Sequence, residues 1–91
     1  MLPTKSQIIK EFAQRGESWD YEIVDLVLRD RNMLKPYWRN AARFWCAELS
    51  GMAIIIETDV RADAPEWDGR VAHKYKISPY GQTLVDTMLQ E

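Results

Sequence analysis

Apolar positions recur first with a helical period and later with a strand period. Ile8, Ile9, Phe12 and Ala13 follow Thr4 and Gln7, which stand at capping-box spacing, and together they predict a first helix from about residue 5 to 15. Gly16 is suited to end it, and Ser18 to cap a second helix after a very short link. That helix is expected from about residue 19 to 31, with an apolar stripe of Trp19, Ile23, Leu26 and Val27. Its early acids Asp20, Glu22 and Asp25 suit the positive end of the helix dipole. Residues 32–35 form a break, and Pro36, whose missing N–H is harmless in a first turn, opens a third helix to about Leu49. Trp38, Ala41, Ala42, Trp45 and Leu49 make its apolar face, the opposite face carries Lys35, Arg39, Asn40 and Arg43, and Ser50-Gly51 supplies the stop.

Beyond Gly51 the period becomes two. Ile54, Ile56, Thr58 and Val60 share one face of a strand, with Ile55, Glu57, Asp59 and Arg61 on the other. A second run sets Val71, His73, Tyr75 and Ile77 against Arg70, Ala72, Lys74 and Lys76. The segment between them, residues 62–69, contains Ala-Pro and Asp-Gly turn signals, so the two runs predict a hairpin with a long tip. Glu57 and Asp59 are expected to face Lys74 and Lys76 across it, on a solvated outer face. Ser78-Pro79 then caps and opens a fourth helix whose apolar positions are Leu84, Val85, Met88 and Leu89.

Composition narrows the class. The 91 residues are 46% hydrophobic with four tryptophans, too apolar for a disordered chain and short enough for one domain over 1–91. One cysteine, Cys46, and one histidine, His73, leave neither an internal disulfide nor a Cys/His zinc site, and both are expected as packed structural residues. The longest apolar run, residues 52–56, is too short to cross a bilayer, and the N-terminus lacks a secretory pattern, so a cytoplasmic protein with no membrane partner is expected. The spacing of Asp59, Asp63, Glu66 and Asp68 is not that of a calcium loop, so neither metal nor cofactor is expected. No Gly-rich phosphate loop, nucleophile elbow or clustered acid/base pair is present, which argues against an enzyme.

The second helix, a short turn and the third helix together have the layout of a helix-turn-helix. Trp38, Ala42, Trp45, Leu49 and Gly51, followed at once by an isoleucine strand, resemble the recognition helix and first wing strand of winged helix-turn-helix proteins. The run of residues 75–82, from Tyr75 through Ser78, Pro79 and Gly81 to Gln82, with Leu84 and Val85 beyond, is similar to the segment that ends the wing in bacterial regulators of the multiple-antibiotic-resistance and phenolic-acid repressor type. The resemblance implies an α+β, mainly α fold of order α-α-α-β-β-α, with a two-stranded wing and a C-terminal helix.

It also implies a small transcriptional regulator, or an accessory protein of an operon or phage, that binds double-stranded DNA through its third helix. In that reading Arg39 and Arg43 donate to guanine, Asn40 pairs with adenine, Lys35 contacts phosphate and Tyr37 touches phosphate or a thymine methyl. A homodimer through the first and fourth helices would match a two-fold operator. The net charge of -2 is unevenly divided. Residues 35–51 hold three cations and one carboxylate, whereas residues 52–70 hold two cations and five carboxylates. An acidic tip favours an alternative, a winged-helix module that binds protein, such as a basic nucleic-acid-binding partner, through Trp67, Glu66 and Asp68. Against that stands a tip folded back onto the domain with Trp67 inside.

Overall fold

The computed structural model describes residues 3–90, with side chains through residue 87. These residues build an α+β, mainly helical domain in the order α1 (Thr4–Arg15), β1 (Ser18–Trp19), α2 (Asp20–Asp30), α3 (Pro36–Gly51), β2 (Ile55–Ala64), a 3₁₀ turn (Pro65–Trp67), β3 (Arg70–Ile77) and α4 (Pro79–Gln90). The sheet is antiparallel and three-stranded, in the order β1-β3-β2. Among the described residues no helix is long and apolar enough to cross a membrane.

The expected capping box at Thr4 and Gln7 does not form. The Pro3 carbonyl accepts from the Gln7 amide at 3.0 Å, while the Gln7 side chain accepts from Arg31 Nε at 2.6 Å and ties α1 to the end of α2. Ser18 caps nothing: its hydroxyl donates to the Gly16 carbonyl at 3.1 Å, and it enters β1, a third strand beyond the expected hairpin. Two extended residues carry no period of their own, and they form a strand only because β3 lies alongside, with Ser18 opposite Tyr75 and Trp19 opposite Lys74. The start of α2 is secured instead by Glu22, whose carboxylate accepts from the Trp19 amide at 3.0 Å. At its end Asn32 turns left-handed at φ 57°, and the Met33 amide reaches back to Leu28 at 2.7 Å.

Helix α3 runs through Gly51, past the expected stop, and the left-handed residue that turns the chain is Ala53 at φ 60°. The alternation expected in β2 is also displaced. Ile55 is 1% exposed, whereas Ile56 and Val60 face solvent at 41% and 49%. Register slips between Glu57 and Asp59 and between Arg61 and Ala64 break the two-residue period and increase the twist. In β3, Ala72 and Tyr75 are both buried although three positions apart, so each face of that strand is covered somewhere along its length. Asp59 does oppose Lys74, but Lys74 ion-pairs with Glu17 at 3.3 Å, and Lys76 opposes Ile56.

The core takes Ile8 and Phe12 from α1, Ile23, Val24, Val27 and Leu28 from α2, and Ala42, Cys46 and Leu49 from α3, with Tyr75 standing edge-on to Phe12 at 6.0 Å. Val85 of α4 joins them and Leu84 packs against them. Of the stripes proposed for dimerisation through the first and fourth helices, Ile8, Ile9, Phe12, Leu84 and Val85 pack within this chain, where α1 and α4 meet each other and the core. The side chains of Met88 and Leu89 lie outside the described residues. Burial pushes the Cys46 thiol above its ordinary range, which leaves it a poor nucleophile.

Candidate recognition surface

The hairpin tip folds back onto the body, and Trp67 anchors it. Pro65 opens the 3₁₀ turn, Asp68 and Gly69 take left-handed φ values of 57° and 83°, and the Gly69 amide closes onto Ala64 at 2.9 Å. This geometry drives the Trp67 indole inward until it is 2% exposed. Its Nε1–H donates to Asp20 Oδ1 at 2.7 Å, and the same oxygen accepts from the Tyr21 amide at 2.8 Å. Tyr21 meets the indole edge-on at 6.4 Å. Trp67 is thus a structural anchor, and the reading in which it grips a partner is corrected: a large apolar side chain flanked by acidic neighbours is stable once its ring is buried and its N–H is paired. Glu66 and Asp68 stay on the surface, Glu66 paired with Arg61.

The arginines expected to read DNA take part in the same anchor. Arg39 lies over the Trp67 ring at 4.8 Å, donates to Asp25 at 2.9 Å and donates to the Glu66 carbonyl at 2.6 Å. Arg43 lies 5.3 Å from the ring centroid and reaches the Val71 carbonyl at 3.4 Å, while its buried Nε has no partner among the described residues. Both guanidiniums are thereby aimed at the hairpin rather than outward. Lys35, Tyr37 and Asn40, the rest of the expected DNA face, are exposed. Asn40 is tied to the hairpin because its side-chain oxygen accepts from Arg70.

What α3 shows to solvent is a strip of which the expected face held only Tyr37 and Asn40. Tyr37, Asn40, Ala41, Phe44, Ala47, Glu48 and Gly51 recur at i, i+3, i+4 and i+7, with Tyr37 71% and Phe44 70% exposed and Ala41 half-buried. The signal was present in the spacing, but Trp38 and Trp45 made the neighbouring stripe look like the single apolar face. In the structure those two tryptophans are half-buried against the core. Beside Phe44, a groove of about 310 Å³ between α3 and the hairpin is lined by Arg43, Ala47, Ser50, Glu57, His73 and Tyr75, with Asp20 also on its wall. His73, expected to be packed and hydrogen-bonded to backbone, is half-buried and paired through Nδ1 with Glu57.

Among the described residues of this region, Asp20 is the one buried carboxyl. Desolvation raises its pKa above the ordinary 3.8, against the opposing pull of the Trp67 and Tyr21 hydrogen bonds. A carboxyl that holds its proton more tightly when folded lowers stability as pH rises from 3.8 through the raised value, and the loss persists above it. Asp20→Asn keeps the accepting oxygen and removes the charge. The unfolding free energy of this variant relative to the native chain is expected to climb between acid and neutral pH, as read by urea denaturation at several pH values. A difference that stays flat with pH would show that Asp20 titrates alike in both states.

No group of three or more His, Cys, Asp or Glu side chains among the described residues is arranged to hold a metal ion. No protein-family model, curated protein or solved structure matches the chain.

Proposed function

We propose that this chain is a winged-helix recognition module that binds protein through the outward strip of α3. Three features support the winged-helix part of that reading. Helices α2 and α3 pack together across a five-residue link, the hairpin follows α3 directly, and its tip returns to the base of α3. The observation that carries the functional part is the make-up of the outward side of α3: its two arginines are turned beneath the hairpin, while Tyr37 and Phe44 stand in solvent. Exposed aromatics on a rigid helix are the usual anchors of protein interfaces, whereas DNA affinity depends on cations aimed at phosphates. The alternative proposal, binding of double-stranded DNA, keeps Lys35, Tyr37 and Asn40 as its outward contacts, supported by the position of Lys35 at the start of α3.

A photoreactive phenylalanine analogue at position 44 tests the reading, with position 29 on the exposed side of α2 as control. Adducts with protein from position 44 and none from position 29 are expected. Titration with mixed-sequence duplex at low salt is expected to give no saturable binding. Saturable binding that weakens with salt and is reduced by Lys35→Ala would replace this proposal with the DNA one.

A further inference from the structure

We infer that the occupant of the α3 strip is a second copy of this chain, docked antiparallel so that the two-fold axis passes beside Phe44. The inference rests on the protein-binding reading above and names its partner.

The strip is complementary to itself when reversed. In an antiparallel pair centred on Phe44, Tyr37 falls opposite Gly51, Asn40 opposite Glu48, Ala41 opposite Ala47, and the two Phe44 rings meet. The largest side chain thus meets the position that has none. Gly51 is exposed, and a Cβ there would meet nothing within 4 Å, which leaves open space against the helix backbone for the Tyr37 ring of the second copy. Ala41 and Ala47 let the helix axes approach to about 8–10 Å, the usual packing distance. The groove beside Phe44 gives the second ring room to settle.

The polar groups can pair in the same register. The N-terminal half of the strip carries Lys35 and, beside Asn40, the Arg70 guanidinium, while the C-terminal half carries Glu48, whose Oε2 is paired with Lys5 of its own chain at 2.6 Å. Reversal brings Arg70 of each copy to the other oxygen of the second copy's Glu48. Asn40 accepts from Arg70 through its oxygen, so its amide nitrogen remains to donate to Glu48 of the second copy. A parallel pair would instead set Tyr37 against Tyr37, crowding one end, and would leave Arg70 with no carboxylate opposite it. The symmetric reversed pair closes on itself and leaves no part of the strip for a third chain.

Sedimentation velocity of the full chain from about 1 µM to about 1 mM, the range spanning weak to moderate affinities, is expected to show a monomer–dimer equilibrium. Phe44→Asp, at an exposed position, is expected to keep the native circular dichroism and to weaken the dimer at least about tenfold, the loss expected of a central aromatic anchor. Register is read by oxidative cross-linking, with buried Cys46 as an inert background. Phe44→Cys links to itself across the axis. Ala41→Cys mixed with Ala47→Cys links, whereas Ala41→Cys alone does not, because its two copies are offset by about 9 Å along the helices, beyond the reach of a disulfide. Glu48→Arg weakens the dimer, and adding Arg70→Glu restores it.

A dimer unchanged by Phe44→Asp, or Ala41→Cys that links as well alone as with Ala47→Cys, overturns the pairing. A chain that stays monomeric while the probe at position 44 captures a different protein overturns self-association and leaves the recognition reading standing. A monomer whose position 44 captures nothing overturns both.

Discussion

Replacing Trp67 with alanine is expected to destabilise the fold by about 4 kcal/mol, in the range for a buried large aromatic in a packed core. Three losses combine. The cavity removes the ring that Arg39 and Arg43 lie against at 4.8 and 5.3 Å. The edge-on contact with Tyr21 disappears, and Asp20, 2% exposed, loses the donor held at 2.7 Å. A buried carboxyl stripped of a hydrogen bond contributes its own penalty of about 1–3 kcal/mol. Trp67→Phe narrows the terms, since it keeps an aromatic ring and most of the volume while removing the N–H and part of the bicycle, and it is expected to lose roughly half as much. Urea denaturation monitored by circular dichroism measures both, and backbone amide shifts report where the loss falls. The largest shifts are expected at the hairpin tip, at Asp20 and along the first turns of α3. A loss below about 1 kcal/mol for Trp67→Ala, the level of an ordinary surface change, would mean that the tip is held by Arg39 and its partners without the ring.

Gly81→Ala is expected to lose about 3 kcal/mol, although alanine is the better helix former by about 1 kcal/mol. The reversal follows from a close approach. A Cβ at position 81 would lie 2.2 Å from the Ile54 carbonyl oxygen and 2.8 Å from Ile77 Cδ1, and the first of these is backbone that cannot swing aside. The Ile54 carbonyl is fixed by the start of α4: it accepts from the Ser78 amide at 3.0 Å and from the Ser78 hydroxyl at 2.9 Å. That hydroxyl in turn caps the helix by accepting from the Gly81 amide at 2.9 Å. An added methyl forces α4 off the hairpin base or breaks this network. Gly51→Ala is the control, since nothing lies near its Cβ, and it is expected to stabilise the monomer by about 0.5 kcal/mol. Equal behaviour of the two alanine variants in thermal or urea unfolding would refute the account of Gly81.

The legible parts of the fold are those in which local chemistry and tertiary packing agree. The four helices and both hairpin strands stand near their expected positions because helical and alternating periods survive into the structure, and Ser78-Pro79 opens α4 as its chemistry requires. The missed parts depend on neighbours distant in sequence. Ser18 and Trp19 are a strand only beside β3, Ala53 takes the turn where Gly51 was expected to, and the burial of Ile55 follows from the exit angle of α3 and the bulges in β2.

The candidate surface divides in the same way. Periodicity by itself determined that α3 has a polar and cationic side and an aromatic side, and composition determined that the charge is concentrated by segment. Whether the cationic side stays open to solvent was decided only when the hairpin tip folded back. A helix carrying Trp38, Trp45, Tyr37 and Phe44 has more apolar surface than one core can cover, and Arg39 and Arg43 have long apolar stems that lie as readily against an indole as in water. Trp67, twenty-four or more residues beyond them, with Asp20 as its acceptor, drew the arginines inward and left Tyr37 and Phe44 outside. No local pattern encodes that outcome, because it is the balance of burying one tryptophan against exposing two other rings, and that balance exists only in the folded chain.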